Sequence, residues 1–294
     1  MTNQTRRIGI LNDGYLLIDK PAGPTSHDVV AAVRRAIHVR RVGHTGTLDP
    51  FASGLLVMLV GRATRLAQYL VGLTKRYTGV IVLGTTTDSD DSTGKVTTTT
   101  DAWQAVTSHD VERAMTGLTG PLRQRPPALS AKKIGGQRAY RLARRGESPE
   151  IPCQDVEVLS FSMTAMHEER VEFEAHVSSG TYIRSLARDL GDELRCGAHL
   201  AVLRRTDVGP FGIQDAIEVN DSLNADRVRP AREVVAHLPT VPLESAQRQS
   251  VCHGRPITTP EAFSGTVALV DGDELVAVAE ADGTQIRPRV VLLG

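Results

Sequence analysis

The sequence predicts an α+β protein with a small β-rich unit at its C-terminal end. Three observations carry this. Short apolar runs that read as strands are interleaved with segments of helical spacing, which fits neither an all-α nor an all-β chain. Near the C-terminus, Val267 to Val270 and Leu275 to Ala279 flank the turn Asp271-Gly272, and Asp282-Gly283 marks a second turn before Val290 to Leu293. The charge is also divided: residues 211–294 hold 7 Lys/Arg against 12 Asp/Glu, and residues 1–210 hold 27 against 22, so a formal net charge of zero hides a basic part and an acidic part. With 294 residues, 40% hydrophobic and 23% charged, the chain is long enough for one large core or two domains.

Taken in order, Tyr15 to Ile18 reads as a strand that ends in a turn at Asp19 to Pro24. Thr25 or Ser26 then caps a helix, on which Val29, Val30, Val33 and Ile37 recur at helical spacing with Arg34 and Arg35 outward. Leu55 to Val60 is a buried strand, and Arg62 to Leu70 a helix with Leu66, Tyr69 and Leu70 on one face. Lys75 to Leu83 is a strand, and Gly84 to Lys95 is polar and holds Asp88, Asp90 and Asp91. Thr107 and Asp110 stand at capping-box spacing before a helix at Val111 to Leu118. Val156 to Met163 and Arg170 to Val177 are strands, the second alternating as on a half-buried sheet. A helix follows with Ile183, Leu186, Leu190 and Leu194 on one face, then a short strand at Ala201 to Leu203. Val208 to Pro242 gives mixed signals.

Several functions are excluded. No apolar run is long enough to span a bilayer, and the first ten residues lack the apolar stretch of a signal peptide, so the cytosol is the expected location. Cys153, Cys196 and Cys252 form no Cys-x-x-Cys pair. The acidic loop starting at Asp88 has Thr93 and Thr99 where a calcium loop needs Gly and Glu. Gly94-Lys95 fails the phosphate-loop pattern, and His167-Glu168-Glu169-Arg170-Val171 has Val where a zinc-protease helix needs its second His.

Two stretches stand out. Gly43-His44-Thr45-Gly46-Thr47-Leu48-Asp49-Pro50 brings a lone carboxylate to the end of a polar loop just before a buried strand, a common way to hold a reactive group still. Read alone, it is a turn whose Asp and Thr side chains bond their own backbone, and only the rest of the chain moves it towards chemistry. Pro121 to Gly146 carries Arg123, Arg125, Lys132, Lys133, Arg138, Arg141, Arg144 and Arg145 with no acid, a footprint for a polyanion. Its first part, Pro126 to Gly136, reads as loop and its second, Gln137 to Arg145, as helix. Arg184 starts a helix, where a cation is disfavoured, which calls for a nearby carboxylate.

Seven motifs in order resemble the bacterial TruB family of tRNA pseudouridine synthases. They are Lys20-Pro21-x-Gly23-x-Thr25-Ser26, the Gly43–Pro50 octapeptide, Lys75-x-Tyr77, and Pro126-Pro127-x-x-Ser130-Ala131-x-Lys133-x-x-Gly136. Tyr140 with Ala143-Arg144, Ser179-Gly180-Thr181-Tyr182-Ile183-Arg184, and His199-x-x-x-Leu203-Arg204-Arg205 complete the set. The match covers roughly the first two-thirds of the chain.

The resemblance implies a pseudouridine synthase fold, with a mixed, mostly antiparallel sheet, a central cleft and a PUA-like C-terminal domain. It divides the chain into a catalytic domain, 1–240, with a thumb-like insertion at about 121–146, and a small domain, 241–294. It implies conversion of uridine 55 in the TΨC loop of tRNA to pseudouridine, with no metal, nucleotide or redox cofactor and no guide RNA, by a monomer. Asp49 is then the catalytic carboxylate, by attack at C6 or C1′ or by a glycal route. Arg184 pairs with Asp49, with Asp189 or Asp192 as competing partners; Tyr77 stacks on the flipped base; Tyr182 and Leu203 close the pocket. His44 fills the space the base leaves, and Lys20 and Pro21 support the wall. Arg123, Lys132, Lys133, Arg141 and Arg144 meet the RNA backbone. Without the resemblance, Tyr77 and Leu203 read as core, Tyr182 as packing, His44 as a turn histidine and Lys20 as a surface turn. Two other functions are open at this stage: an RNA-folding chaperone that needs no chemistry, and a guide-RNA-dependent synthase.

Overall fold

The computed structural model describes residues 13–127, 133–134, 137–138, 152–220 and 222–293. Strand β1 (Gly14–Lys20) is buried almost throughout. Helix α1 (Ser26–Ile37) starts at a full capping box: Thr25 accepts from the Asp28 amide, and the Asp28 carboxylate accepts from the Thr25 amide. β2 (Val42–His44) and β3 (Ser53–Val60) pair antiparallel, so the octapeptide is the connection that leaves β2.

The helix expected over Arg62 to Leu70 is instead a 3₁₀ segment, Gly61–Leu66, followed by one turn of α-helix, α2 (Gln68–Val71). Thr64 Oγ1 donates to the Gly61 carbonyl at 2.8 Å, a local bond that competes with the α-helical ladder. β4 (Lys75–Leu83) leads into a hairpin, β5 (Thr85–Thr87) with β6 (Val96–Thr99), which the sequence reading of a polar stretch at Gly84 to Lys95 does not include. Runs of threonine favour extended structure, which a reading keyed to charge overlooks. α3 (Ser108–Gly117) is capped by Thr107 and Asp110 as expected.

The basic stretch opens with a strand, β7 (Gly120–Gln124), paired antiparallel to β10 (Gln154–His167). Within it, β8 (Lys133–Ile134) pairs with β9 (Gln137–Arg138), so neither the loop reading at 133–134 nor the helix reading at 137–138 holds. The remainder of the expected helix lies outside the described residues. β11 (Arg170–Val177) follows β10 through a turn in which Glu168 has φ 53°, so the near-miss zinc motif is a hairpin end rather than a helix.

α4 (Ile183–Glu193) precedes β12 (Ala198–Val208), which is much longer than the three-residue strand expected. The mixed-signal region contains β13 (Phe211–Gly212), β14 (Ile217–Glu218), β15 (Arg229–Pro230) and α5 (Ala231–Val234). The acidic end holds β16 (Thr240–Pro242), α6 (Ser245–Cys252), β17 (Ile257–Asp271) and β18 (Glu274–Val291), with β16, β17 and β18 forming a separate three-stranded sheet.

The main sheet runs β14-β1-β3-β12-β4-β11-β10-β7 and is mixed, with parallel pairs only at β1/β14 and β3/β12 along that path. The β3/β12 pairing is the narrow point. It consists of Ser53 with Arg204 and Gly54 with Arg205, after which the two strands part. Each half-sheet has its own packing. α3 and α4 cover one face of β4, β10, β11 and β12 through Phe173, Leu186 and Leu190 among others. α1 covers one face of β1 and β3 through Val29, Val33 and Ile37. The other face of β1 and β3 meets the C-terminal sheet, where Leu17, Val57 and Leu59 share a core with Val270, Leu275 and Leu292. The seam between the half-sheets is where the octapeptide lies.

Candidate active site

The octapeptide is held from four sides. The Thr45 amide donates to Val57 O at 3.1 Å and the Ala52 amide to Asp49 O at 3.1 Å. Ser26 Oγ both donates to and accepts from the backbone of Leu48 at 3.0 Å. Arg205, almost fully buried, donates from Nη2 to Gly46 O at 3.0 Å and from Nε to Leu55 O at 2.8 Å. Lys20 is fully buried and donates to three carbonyls, Pro21 and Pro24 at 2.9 Å and Pro50 at 3.3 Å, while the Gly23 amide reaches Pro50 O at 2.7 Å. A loop so tied presents its one carboxylate in a fixed place.

That carboxylate meets Arg184. Arg184 Nε lies 3.0 Å from Asp49 Oδ2, and Nη2 donates to Oδ1 at 3.3 Å, a two-point pairing. The guanidinium is buried, with 5% of its side chain exposed, whereas the Asp49 side chain is 37% exposed and so remains reachable. On its far edge, Nη1 donates to Ser89 O at 3.0 Å and lies 3.4 Å from Asp91 Oδ2. Asp91 is itself fixed by Ser89 Oγ at 2.8 Å, Thr93 N at 2.9 Å and Thr93 Oγ1 at 2.6 Å. The competing partner Asp189 is engaged by Arg188 at 2.8 Å. The start of α4 is pinned by Gln124: its Oε1 accepts from Tyr182 N at 2.8 Å and its Nε2 donates to Tyr182 O at 3.1 Å.

Asp49 and Arg184 open onto a cavity of about 300 Å³, at the small-ligand end of the range. Its walls bring together Tyr77 from β4, Tyr182 before α4, Leu203 from β12, and Val71 and Lys75. Burial pushes the Asp49 carboxyl up from its ordinary value; Arg184 opposes that rise and the nearby Asp91 charge adds to it. Burial pushes the Lys75 ammonium down to about 8, with Arg205 adding to the effect, and its Nζ is taken by the carbonyls of Val71 and Leu73.

Of the residues singled out from sequence, Asp49, Tyr77, Tyr182, Arg184 and Leu203 line this one cavity. Lys20 is tied to the octapeptide backbone at Pro50 O, while Pro21 is exposed and supplies a carbonyl to the Lys20 ammonium. His44 is not among the lining residues. It sits on β2 with its ring edge-on to His27, centroids 5.7 Å apart, and its Nδ1 is buried with no hydrogen-bond partner among the described residues. Burial, with the charges of His27 and Arg205 adding, pushes its pKa down and keeps the ring neutral. Arg123 lies exposed on β7 opposite Asp155. Lys133 belongs to β8, and Lys132, Arg141 and Arg144 lie outside the described residues.

Sequence reasoning missed Asp91, Gln124, Lys75 and Arg205 as site residues. The acids at 88–91 were weighed only as calcium ligands, and nothing local announces that a distant hairpin delivers one of them to Arg184. Gln124 lay inside a stretch read for its charge. Lys75 and Arg205 stood in the family motifs without a role.

Two family models match the chain: the TruB family pseudouridylate synthase N-terminal domain over residues 34–183, and the tRNA pseudouridylate synthase B C-terminal domain over residues 184–236. The chain belongs to the TruB family of pseudouridylate synthases. Among its relatives is a tRNA pseudouridine synthase B of Thermobifida fusca (strain YX), 44% identical over 292 residues, spanning 96% of this chain and 99% of the relative. Another, of Mycobacteroides abscessus, is 41% identical over 290 residues, spanning 95% of this chain and 96% of the relative. Among solved structures, a Cbf5-Nop10-Gar1 complex contains a chain that matches with a TM-score of 0.73 and 26% identity, over 97% of this chain and 86% of the other. A TruB family member therefore shares its pseudouridine synthase fold with Cbf5 across nearly its whole length. The family's motifs at Lys20, Gly43–Pro50, Lys75 to Tyr77, Ser179 to Arg184 and Leu203 to Arg205 each contribute a wall or a tether of the Asp49 cavity.

Proposed function

We propose that this TruB family enzyme isomerises uridine 55 in the TΨC loop of tRNA to pseudouridine. The observation that carries the reading is the two-point Asp49–Arg184 pair at the floor of a cavity walled by Tyr77, Tyr182 and Leu203. The names of the relatives, tRNA pseudouridine synthase B, supply the substrate class. The N1–C1′ bond breaks and a C5–C1′ bond forms; the proton of C5 leaves and N1 gains one, so no atom is lost overall. The target base is flipped from its loop, at a cost of a few kcal/mol. It stacks on Tyr77, with Leu203 and Tyr182 against its other sides. Asp49 acts as nucleophile or base by any of the three routes, at C6, at C1′ or through a glycal. Arg184 orients it and holds it charged. His44, neutral and outside the cavity wall, supports the loop from β2 and stands available to replace lost stacking. Arg123, Lys132, Lys133, Arg141 and Arg144 grip phosphates. Residues 1–240 form the catalytic domain and 241–294 a PUA-like accessory domain. The enzyme works in the cytoplasm as a monomer, without guide RNA or cofactor.

Incubation of C5-tritiated tRNA transcript with the purified protein alone tests this. Tritium is released by the wild type and not by Asp49→Ala; no release by the wild type, or normal release by the variant, rejects the reading. The eight cations between Arg123 and Arg145 favour a second activity, tRNA folding. If folding were the main role, Asp49→Ala would complement every phenotype of a deletion strain.

A further inference from the structure

An exposed apolar side chain stands at the edge of the Asp49 cavity. Val71, the last residue of α2, lines the cavity and is 51% exposed, so it lies on the rim. Among the described residues, Val96, Leu159 and Val202 are the other large apolar side chains left exposed, and none of them lines the cavity. Lone apolar side chains are ordinary on a protein surface. What sets Val71 apart is how firmly the chain holds it in place.

The Val71 carbonyl accepts two hydrogen bonds, from Ser179 Oγ at 2.6 Å and from Lys75 Nζ at 2.9 Å. Lys75 Nζ also donates to Leu73 O at 2.5 Å, so one buried side chain closes the turn from α2 into β4. Ser179 lies in the turn that leads to Tyr182 and itself lines the cavity, so its bond to Val71 joins two walls at the rim. Below the turn, Leu70 is fully buried in the core shared with β1 and β3. Beyond it, the Gly209 amide donates to Thr74 O at 2.9 Å, and Leu73 packs so closely on Gly209 that an added Cβ would stand 2.8 Å from Leu73 Cδ1. Successive helical residues point about 100° apart, so with Leu70 directed into the core Val71 faces outward.

We propose that Val71 is a substrate-contacting residue whose isopropyl group packs against the nucleotide base next to the flipped uridine. This rests on the isomerase reading above. Flipping ends the stacking of the target base on its neighbours, and a neighbour left behind exposes an apolar face. Apolar side chains that meet an unstacked base step stabilise it, without charge and without reading sequence. Asp49, Tyr77 and Val71 line one cavity, so a base held on Tyr77 brings the covalently linked nucleotide beside it to the rim. A side chain whose backbone is already fixed there loses little freedom when that base arrives.

The test is a double-mutant cycle between Val71→Ala and an abasic residue placed beside the target uridine, on its 5′ side in one tRNA and on its 3′ side in another. Kd and kcat/KM for tritium release are both measured. Each tRNA is compared between proteins, so a change in the fold of the RNA cancels. On intact tRNA, Val71→Ala removes two methyl groups and kcat/KM falls on the order of tenfold. On at least one abasic tRNA, wild type and Val71→Ala become equal. Val71→Leu, which keeps an apolar side chain, retains most of the wild-type kcat/KM. Val96→Ala, at an exposed valine of β6, is the control and shows no coupling to either abasic site. A Val71→Ala loss that persists in full on both abasic tRNAs overturns the contact, because Val71 then acts on the rim and not on a neighbouring base. An unchanged kcat/KM on intact tRNA overturns it too and leaves the isomerase reading standing. A wild type that binds but releases no tritium rejects the isomerase reading, and the same cycle in Kd then decides the Val71 contact.

Discussion

Asp49 is both partly exposed and tied to a buried cation, and the two facts have separate consequences. Burial raises its pKa above the unfolded value, so its ionised form costs stability at neutral pH, and that cost is relieved as pH falls through the folded pKa. Asp49→Asn removes the cost while Asp91 stays on Arg184; activity should fall by roughly 10³-fold or more with no drop in melting temperature. A lowered melting temperature would show that the pair is a structural bridge instead. Asp91 pushes the Asp49 pKa up. Asp91→Asn should therefore move the acid limb of the kcat–pH profile to lower pH. It should also slow the reaction roughly 10- to 100-fold by loosening Arg184. A slower enzyme with an unmoved limb would confine Asp91 to positioning. At this scale the site was partly legible. Asp49, Arg184 and Tyr77 stand at motif positions, and the dipole at the start of a helix announces that Arg184 needs a carboxylate. Asp91 and Gln124 carry no such mark, because their importance comes from what a hairpin and a sheet edge bring beside them.

Elements position this site through carbonyls as much as through side chains. Lys20 ends β1 and satisfies three carbonyls of the two turns that meet there. Lys20→Met keeps the buried stem and removes the donor that joins the carbonyls of Pro21, Pro24 and Pro50, leaving Pro50 O with the Gly23 amide alone. The expected loss is about 2–4 kcal/mol, with kcat lowered through the loosened Pro50 anchor. A near-neutral melting shift would mean that water replaces the ammonium. Gly54 is the other critical tether. It has φ 103° at the two-residue seam of β3 and β12, and a Cβ there would stand 2.2 Å from Arg205 O. Gly54→Ala should cost about 2–3 kcal/mol, read as the shift in denaturant midpoint at constant m-value. Most elements could be read from sequence because their signals are local: the capping boxes at Thr25 and Thr107, the alternation along β11, the apolar run of β3. The broken Arg62–Leu70 helix could not, since its apolar spacing fits a 3₁₀ segment followed by one α-turn as well as it fits a continuous helix. Nor could the full length of β12, whose exposed Val202 and charged Arg204 mask a strand set by its neighbours on both sides.

At the scale of the molecule, the acidic C-terminal part looked in sequence like an add-on, set apart by its charge. The structure gives it a second role, because one face of its sheet completes the core beneath β1 and β3. Charge marks the solvent side of a domain and is silent about its buried side, which is why this contact was not legible. Two packed sheets that share side chains should unfold together. Leu292 is 2% exposed, in the same cluster as Leu17, Val57 and Leu59. Leu292→Ala should therefore cost about 2–4 kcal/mol and lower one melting transition for the whole chain. The same shift should register in far-ultraviolet circular dichroism and in loss of tritium release. Two transitions, with activity surviving the first, would show that the C-terminal sheet unfolds by itself and that its contact with β1 and β3 is dispensable. A single transition would mean that the seam holding Asp49 depends on residues more than two hundred positions away.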